Sequence, residues 1–281
     1  MSGVATNEFV EAARTRLPAE LADRWIPLLR AGFRLRPAEL GEPVVCRLGG
    51  DPRLPEATPW PEWPGHGPLT FIAEVDCAAL PDAELHPPLP AEGTLLFFYS
   101  DGQLDCRASL VLGMDDESQR GARVLYVGPG LDVAERSAPD GIKPYRRQDL
   151  AGDAVISAPS FEHPAAVWTI IEPDAAEIFT SGFADVVRAL DHGPGHQIAG
   201  HAYPVQGAVE PGLVAPAAAG LGESADAANA AAHEWLLLAQ FTSDGHSHMM
   251  WGDFGILYWL IKADDLAARQ FDRARMTWQC H

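Results

Sequence analysis

The sequence predicts an α+β fold: β-rich, largely antiparallel, with an internal duplication of a β-unit and N-terminal helices packed on the outside. Three observations carry this expectation. Short apolar segments of strand length recur along most of the 281-residue chain, separated by turns rich in Gly, Pro and Asp. Helical spacing of apolar residues is confined to the N-terminus and two later stretches. Three sequence blocks recur in the same order in the two halves.

The chain opens with helical text. Asn7 suits a helix cap, Glu8 and Glu11 suit the positive end of a helix, and Arg14 and Arg16 its negative end. Pro18 fits the first turn of a second helix carrying Leu21, Trp25 and Leu28, and Pro27 kinks or ends that helix nearby. Strands are expected at residues 43–48, 69–75 and 93–99. Ser100-Asp101-Gly102 reads as a hairpin-type turn, with strand continuing over 103–112. Further strands are expected at 123–127, 167–171, 235–241, 256–261 and 275–279. Helices are expected at 175–190, with Phe179, Phe183, Val186, Val187 and Leu190 on one face, and at 224–233 behind a Ser cap. Residues 207–222, rich in Ala and Gly, read as a flexible loop or insertion.

Arg47-Leu48-Gly49-Gly50 with Pro52 resembles Gln197-Ile198-Ala199-Gly200 with Pro204. Residues 69–74 resemble 235–240, and 93–97 resemble 255–259. The shared order predicts two pseudo-repeats, about 33–150 and 151–281, behind a helical segment at 1–32. Two such halves would meet face to face around a cleft.

The formal charge is −19, from 20 Lys plus Arg against 39 Asp plus Glu. Between residues 151 and 261 there are thirteen acids and one base, Arg188. Such a balance repels phosphate backbones and anionic bilayers, so neither nucleic acid nor membrane is an expected partner. A basic protein partner fits, although negative charge also serves solubility alone. The longest apolar runs fall far short of the ~18 residues a membrane span needs. The N-terminus has neither a basic start nor an apolar h-region, so a cytoplasmic protein is expected. Cys46, Cys77, Cys106 and Cys280 contain no C-x-x-C pair, which argues against a zinc ribbon or a thioredoxin-like site.

Standard catalytic motifs fail, and no cofactor is expected. There is no G-x-S-x-G, and neither lysine follows glycine as a phosphate-binding loop requires. His233-Glu234-Trp235-Leu236-Leu237 begins like a zinc-protease motif but has Leu where the second ligand must stand. Gly220-Leu221-Gly222-Glu223-Ser224-Ala225 fits a loose dinucleotide pattern without the preceding strand. Six of ten histidines lie between His192 and His248, and with Asp244 or Asp253 they could supply a His/carboxylate metal site, but their spacing is not diagnostic and loop or capping roles are the expectation.

Taken together, several segments resemble the bacterial YwqG-like family, whose domain is the domain of unknown function 1963. They are Gly49-Gly50-Asp51-Pro52-Arg53-Leu54-Pro55 with Trp60-Pro61, then residues 67–76 and 93–99. In the second half they are His196-Gln197-Ile198-Ala199-Gly200 with Gln206, residues 235–240, Met250-Trp251-Gly252-Asp253-Phe254-Gly255, Tyr258 and Asp265-Leu266. The resemblance covers roughly residues 33–280. It implies a β-rich α+β fold and no established reaction. Some relatives appear near bacterial toxin genes, which implies an immunity-like role as one form of binding. The chain departs from the pattern at Glu74, where the resemblance implies Gln, and in the Ala-rich insertion.

Eight residues stand out as binding candidates. Trp251 offers a flat amphipathic face, with Asp253 as a polar anchor or as the holder of an Asx turn. Trp60 and Trp63 sit in a stiff Pro-Trp-Pro-Glu-Trp-Pro loop, suited to binding or to covering the core. Glu74 and Gln240 occupy equivalent positions in apolar strands and need polar partners. His196 and Gln206 add polar groups near the second Gly-Pro turn. Two functions remain open. One is a non-enzymatic binding or immunity-like protein acting on a protein partner. The other is an enzyme of unassigned class, with Glu74, His196 and Asp253 as acid/base groups in a cleft between the repeats.

Overall fold

A computed structural model describes residues 5–105, 109–166, 181–213 and 232–281. Two helices, α1 (Ala5–Arg16) and α2 (Ala19–Trp25), open the chain, and a 3-10 turn at Ile26–Leu28 leads into β1 (Arg30–Pro37). The first half continues with β2 (Cys46–Leu48), β3 (Arg53–Leu54), β4 (Glu62–Trp63), β5 (Gly67–Pro68), β6 (Thr70–Asp76), β7 (Thr94–Tyr99), β8 (Ala122–Val127) and β9 (Ala134–Glu135). Then come β10 (Gln148–Ser157), α3 (Phe183–Leu190), β11 (Gln197–Ala199), β12 (Trp235–Thr242), β13 (Ile256–Lys262), α4 (Ala263–Ala267) and β14 (Arg275–Gln279).

Ten strands form one antiparallel sheet in the order β14-β13-β12-β11-β1-β10-β2-β6-β7-β8. The sheet curls into a nearly closed barrel whose edges, β14 and β8, come together. At that seam Gln119 acts as a clasp. Its Nε2 donates to Met276 O at 2.8 Å, and its Oε1 accepts from Met276 N at 2.8 Å. The interior is aromatic. Phe97, Phe241 and Trp259 meet edge to face with centroids 5.2 to 5.6 Å apart, all fully buried. A second cluster joins Phe9, Leu17, Leu21 and Trp25 of the N-terminal segment to Ala166, Phe183 and Val187.

Several features recur in the two halves. From β10 and from β1 outwards, the strands follow in corresponding order: β2, β6, β7, β8 and β11, β12, β13, β14. A one-residue bulge interrupts β6 between Phe71 and Ala73 and β12 between Leu237 and Ala239, at aligned positions. Gly49 and Gly50 have φ of 58° and 74°, and Ala199 and Gly200 have φ of 57° and 76°. At Gly49 a Cβ would lie 2.8 Å from the carbonyl oxygens of Tyr145 and Arg146, so only glycine fits.

Several expectations need correction. The central strands β1 and β10 were not foreseen. In β1, arginines at 30, 34 and 36 alternate with Phe33 and Leu35, and β10 carries two aspartates and a glycine, so neither presents an apolar run. The described part of 103–112 is not strand. β7 pairs with β8 across a long connection rather than a hairpin turn, because Asp101 is engaged by Thr70, Gln103 and Tyr145. α1 starts at Ala5, so Asn7 lies inside it, and Pro18 is the N-cap of α2 rather than a first-turn residue. The strand expected from residue 43 forms only at Cys46–Leu48. Of 207–222, residues 210–213 are a 3-10 turn anchored by buried Val209 and Leu213. The expected strand at 167–171, the helix at 175–180 and most of the helix at 224–233 lie outside the described residues, whereas α3 occupies the C-terminal part of the expected 175–190 helix. Among the described residues no helix is long and apolar enough to cross a membrane.

Candidate functional site

One end of the barrel opens into a mouth built from both halves. The end of β7 supplies Tyr99, and the segment after it supplies Ser100, Asp101, Gly102, Ser109 and Leu110. The β12–β13 loop supplies Met250, Trp251 and Gly252, with Leu257 and Trp278 behind them; together they line a cavity of about 80 Å³.

The β12–β13 loop is tightly made. Asp244 and Met249 exchange main-chain hydrogen bonds, Ser247 N donates to Asp244 Oδ1 at 2.6 Å, and Trp251 N donates to Ser243 Oγ at 2.9 Å. Gly255 N donates to Trp251 O at 2.7 Å, and His281 N to Asp253 O at 3.0 Å. This wiring forces left-handed backbone at His248, Gly252 and Phe254, with φ of 63°, 57° and 50°. Left-handed backbone disfavours bulky side chains by about 1–2 kcal/mol. Phe254 nevertheless sits there, 67% exposed, on the same loop as exposed Met250. Leu110, which lines the cavity, is exposed as well, as are Leu112 and Met114 further along the same segment.

Trp251 is the floor. It is buried between Tyr99 and Tyr145, edge to face at 6.1 and 5.6 Å, and its Nε1–H finds no acceptor among the described residues. Tyr145 donates to Asp101 Oδ2 at 2.7 Å, and Thr70 Oγ1 to Asp101 Oδ1 at 3.0 Å, which fixes the opposite wall. Residues 101–117 and 244–255 carry seven carboxylates and one arginine, Arg107, which lies outside the described residues. His196, whose Nε2 is 3.8 Å from Asp244 Oδ2, together with the Ser247 amide holds the Asp244 carboxyl well below the usual range.

The eight candidates divide. Trp251 and Asp253 share the mouth loop, but Asp253 is exposed and no Asx turn forms: its carbonyl, not its carboxylate, is the acceptor. Trp60 is half-buried, donates Nε1–H to Leu69 O at 2.8 Å and meets Phe98 edge to face. Trp63 is buried, stacked on His66 at 3.9 Å and packed over Gly121. Gln206 is exposed, and its main-chain N–H bonds Gln279 Oε1 at 3.0 Å.

Glu74 and Gln240 play the same part in each half. Glu74 accepts from the Arg53 main-chain N–H and from the Arg47 and Arg53 guanidiniums. Gln240 accepts from the Tyr203 main-chain N–H at 2.9 Å and donates to Gly195 O at 2.9 Å. Each ties a buried strand position to the loop three residues past Gly50 or Gly200. His196 is buried behind the mouth loop, its Nδ1 accepting from Thr242 N at 3.2 Å. Glu74, His196 and Asp253 share no hydrogen-bonding partner among the described residues.

Met250, Phe254, Tyr99, Tyr145 and Trp278 were not singled out from sequence. The available signal was a run of large apolar residues, Met249 to Phe254, inside a turn that Gly252 and Asp253 mark. The histidines also sort differently: His192, His246 and His248 are exposed, whereas His201 meets His163 from outside the 192–248 cluster, at 4.9 Å between ring centroids. Among the described residues no three His, Cys, Asp or Glu side chains converge to hold a metal ion.

A family model, described as a domain of unknown function (DUF1963), matches residues 46–280. No curated protein matches the chain.

Proposed function

We propose that this chain, which belongs to the DUF1963 family, is a binding protein whose barrel mouth takes an apolar side chain flanked by basic residues on a protein partner. The observation that carries this reading is Phe254. An aromatic ring held in strained backbone and displayed to solvent by a fully wired loop is costly for folding alone. Met250, Leu110 and the Trp251 floor extend the apolar surface, and the surrounding carboxylates favour cations. The −19 charge supports a basic protein and disfavours nucleic acid. We read the protein as cytoplasmic.

We also infer that the halves descend from one repeated β-unit. The matched strand order, the paired bulges, the left-handed pairs at 49–50 and 199–200 and the Glu74 and Gln240 ties support this.

The test is a fluorescence titration with two heptapeptides carrying Leu-Phe-Leu between pairs of lysines or pairs of glutamates. The lysine peptide should bind, lose at least ten-fold in affinity between 0.05 and 0.5 M salt on the order expected from charge screening, and fail with Phe254→Asp. Equal binding of both peptides, or of neither, contradicts the reading.

A further inference from the structure

Behind the sheet, away from the mouth, lies a polar cluster that the binding reading does not use. His201 follows β11 and is buried. Its Nε2–H donates to Leu28 O at 2.7 Å, at the end of the N-terminal helical segment. That bond places the remaining lone pair on Nδ1, which is buried with no partner among the described residues. The groups around it are mostly cationic or neutral. The positive charge of Arg30, on β1, acts on it. The ring of His163 meets it, and His233 stands 6.5 Å from His163 on the exposed side. Glu210 is the nearby acid, 3.4 Å from His163 Nε2, beside Arg30 and Tyr258.

We propose that His201 is an acid-sensitive latch, which holds the N-terminal segment against the sheet while its imidazole is neutral and opens when it takes a proton. The main chain of His201 is fixed independently: its N–H donates to Ser157 Oγ at 2.8 Å, and Gln197 Nε2 donates to its carbonyl at 2.9 Å. The side chain is therefore the moving part. A proton on Nδ1 adds a second positive charge to a buried site that already feels Arg30, and the nearby acid, Glu210, approaches His163 rather than His201. Swinging the ring into water relieves this and breaks the bond to Leu28. Burial first, then Arg30 and His163, push the His201 imidazole well below its usual range, and the Leu28 carbonyl only partly opposes them. The sign follows: the open state binds the proton more tightly, so the latch is fully closed above about pH 6.5 and weakens as pH falls. For one such group the opening equilibrium gains about ten-fold per pH unit, or about thirty-fold at pH 5.0.

Residues 5–29 contain no histidine, so their own side chains contribute no imidazole titration between pH 5 and 7. Hydrogen exchange of the full chain at pH 7.5 and 5.0, corrected for intrinsic rates, reads the latch. Amides in 19–29 should lose about thirty-fold of their protection, while those in 95–99 and 256–261 keep theirs. His201→Gln should abolish the step. If that variant does not fold, NMR titration of the wild-type imidazoles decides. His201 titrating near 6.5 in the folded protein overturns the proposal, as does equal loss of protection in the barrel.

Discussion

Replacing Gln119 should open the barrel seam at a cost that can be worked from its bonds. The amide makes three hydrogen bonds: to Met276 O and Leu112 O as donor, and from Met276 N as acceptor. At about 1 kcal/mol each, Gln119→Ala should destabilise by about 3 kcal/mol, because buried Met276 is left with both main-chain groups unpaired. The neighbouring Arg275–Asp116 pair should add little, since the Asp116 side chain is 90% exposed. Gln119→Glu keeps the shape but removes both donors and sets a carboxylate against two carbonyls. It should be at least as damaging at pH 7 and recover partly below about pH 4.3, where the acid regains a proton to donate. Urea unfolding gives the energy, and a melting temperature lower by roughly 6–9 °C should accompany it. Exchange at the Met276 amide locates the change. An alanine variant within 0.5 kcal/mol of wild type, with the Met276 amide still protected, would show that packing of Tyr126 on Phe271 closes the seam instead.

Other outcomes follow from the matched halves and the buried acids. Glu74→Ala should destabilise by about 2–3 kcal/mol in urea unfolding, because it strands Arg47 and Arg53, whose partial exposure softens the loss. Glu74→Gln, which copies the second half, should lose only about 1 kcal/mol. Ala199→Gly, which copies Gly49, should stabilise by about 1 kcal/mol by relieving left-handed backbone, whereas Gly49→Ala should destabilise by more than 2 kcal/mol. Asp244 ionises more readily folded than unfolded, so its stabilisation is present above about pH 4 and lost as pH falls further; Asp244→Asn should flatten that part of the acid unfolding curve.

The strands most legible from sequence are those buried on both faces, although the half-buried edge strands β8 and β14 could be read as well. β6, β7, β12 and β13 read as continuous apolar runs because the barrel interior lies on one side and loops or helices on the other. β1 and β10 were illegible for the opposite reason. Their alternating arginines, aspartates and glycines are held by pairing with neighbours distant in sequence, and that pairing joins the two halves. Glu74 and Gln240 could be picked out as polar residues in apolar strands, but their partners could not. A polar residue in an apolar strand signals an acceptor in need of donors, and only the fold shows that the donors are the loops after Gly50 and Gly200. The mouth was half legible. Trp251 stood out, whereas Tyr99 and Tyr145 reach it through closure of the barrel and Trp278 through the pairing of β14 with β13.

The central claim is that the mouth is where a partner lands. Titrating the lysine-flanked heptapeptide into isotopically labelled protein and mapping the shifted resonances tests it directly. Shifts confined to residues 99–112 and 249–255, with the Trp251 indole N–H among the largest, are the expected result. Saturable binding that shifts other faces and leaves the Trp251 indole unmoved would contradict it.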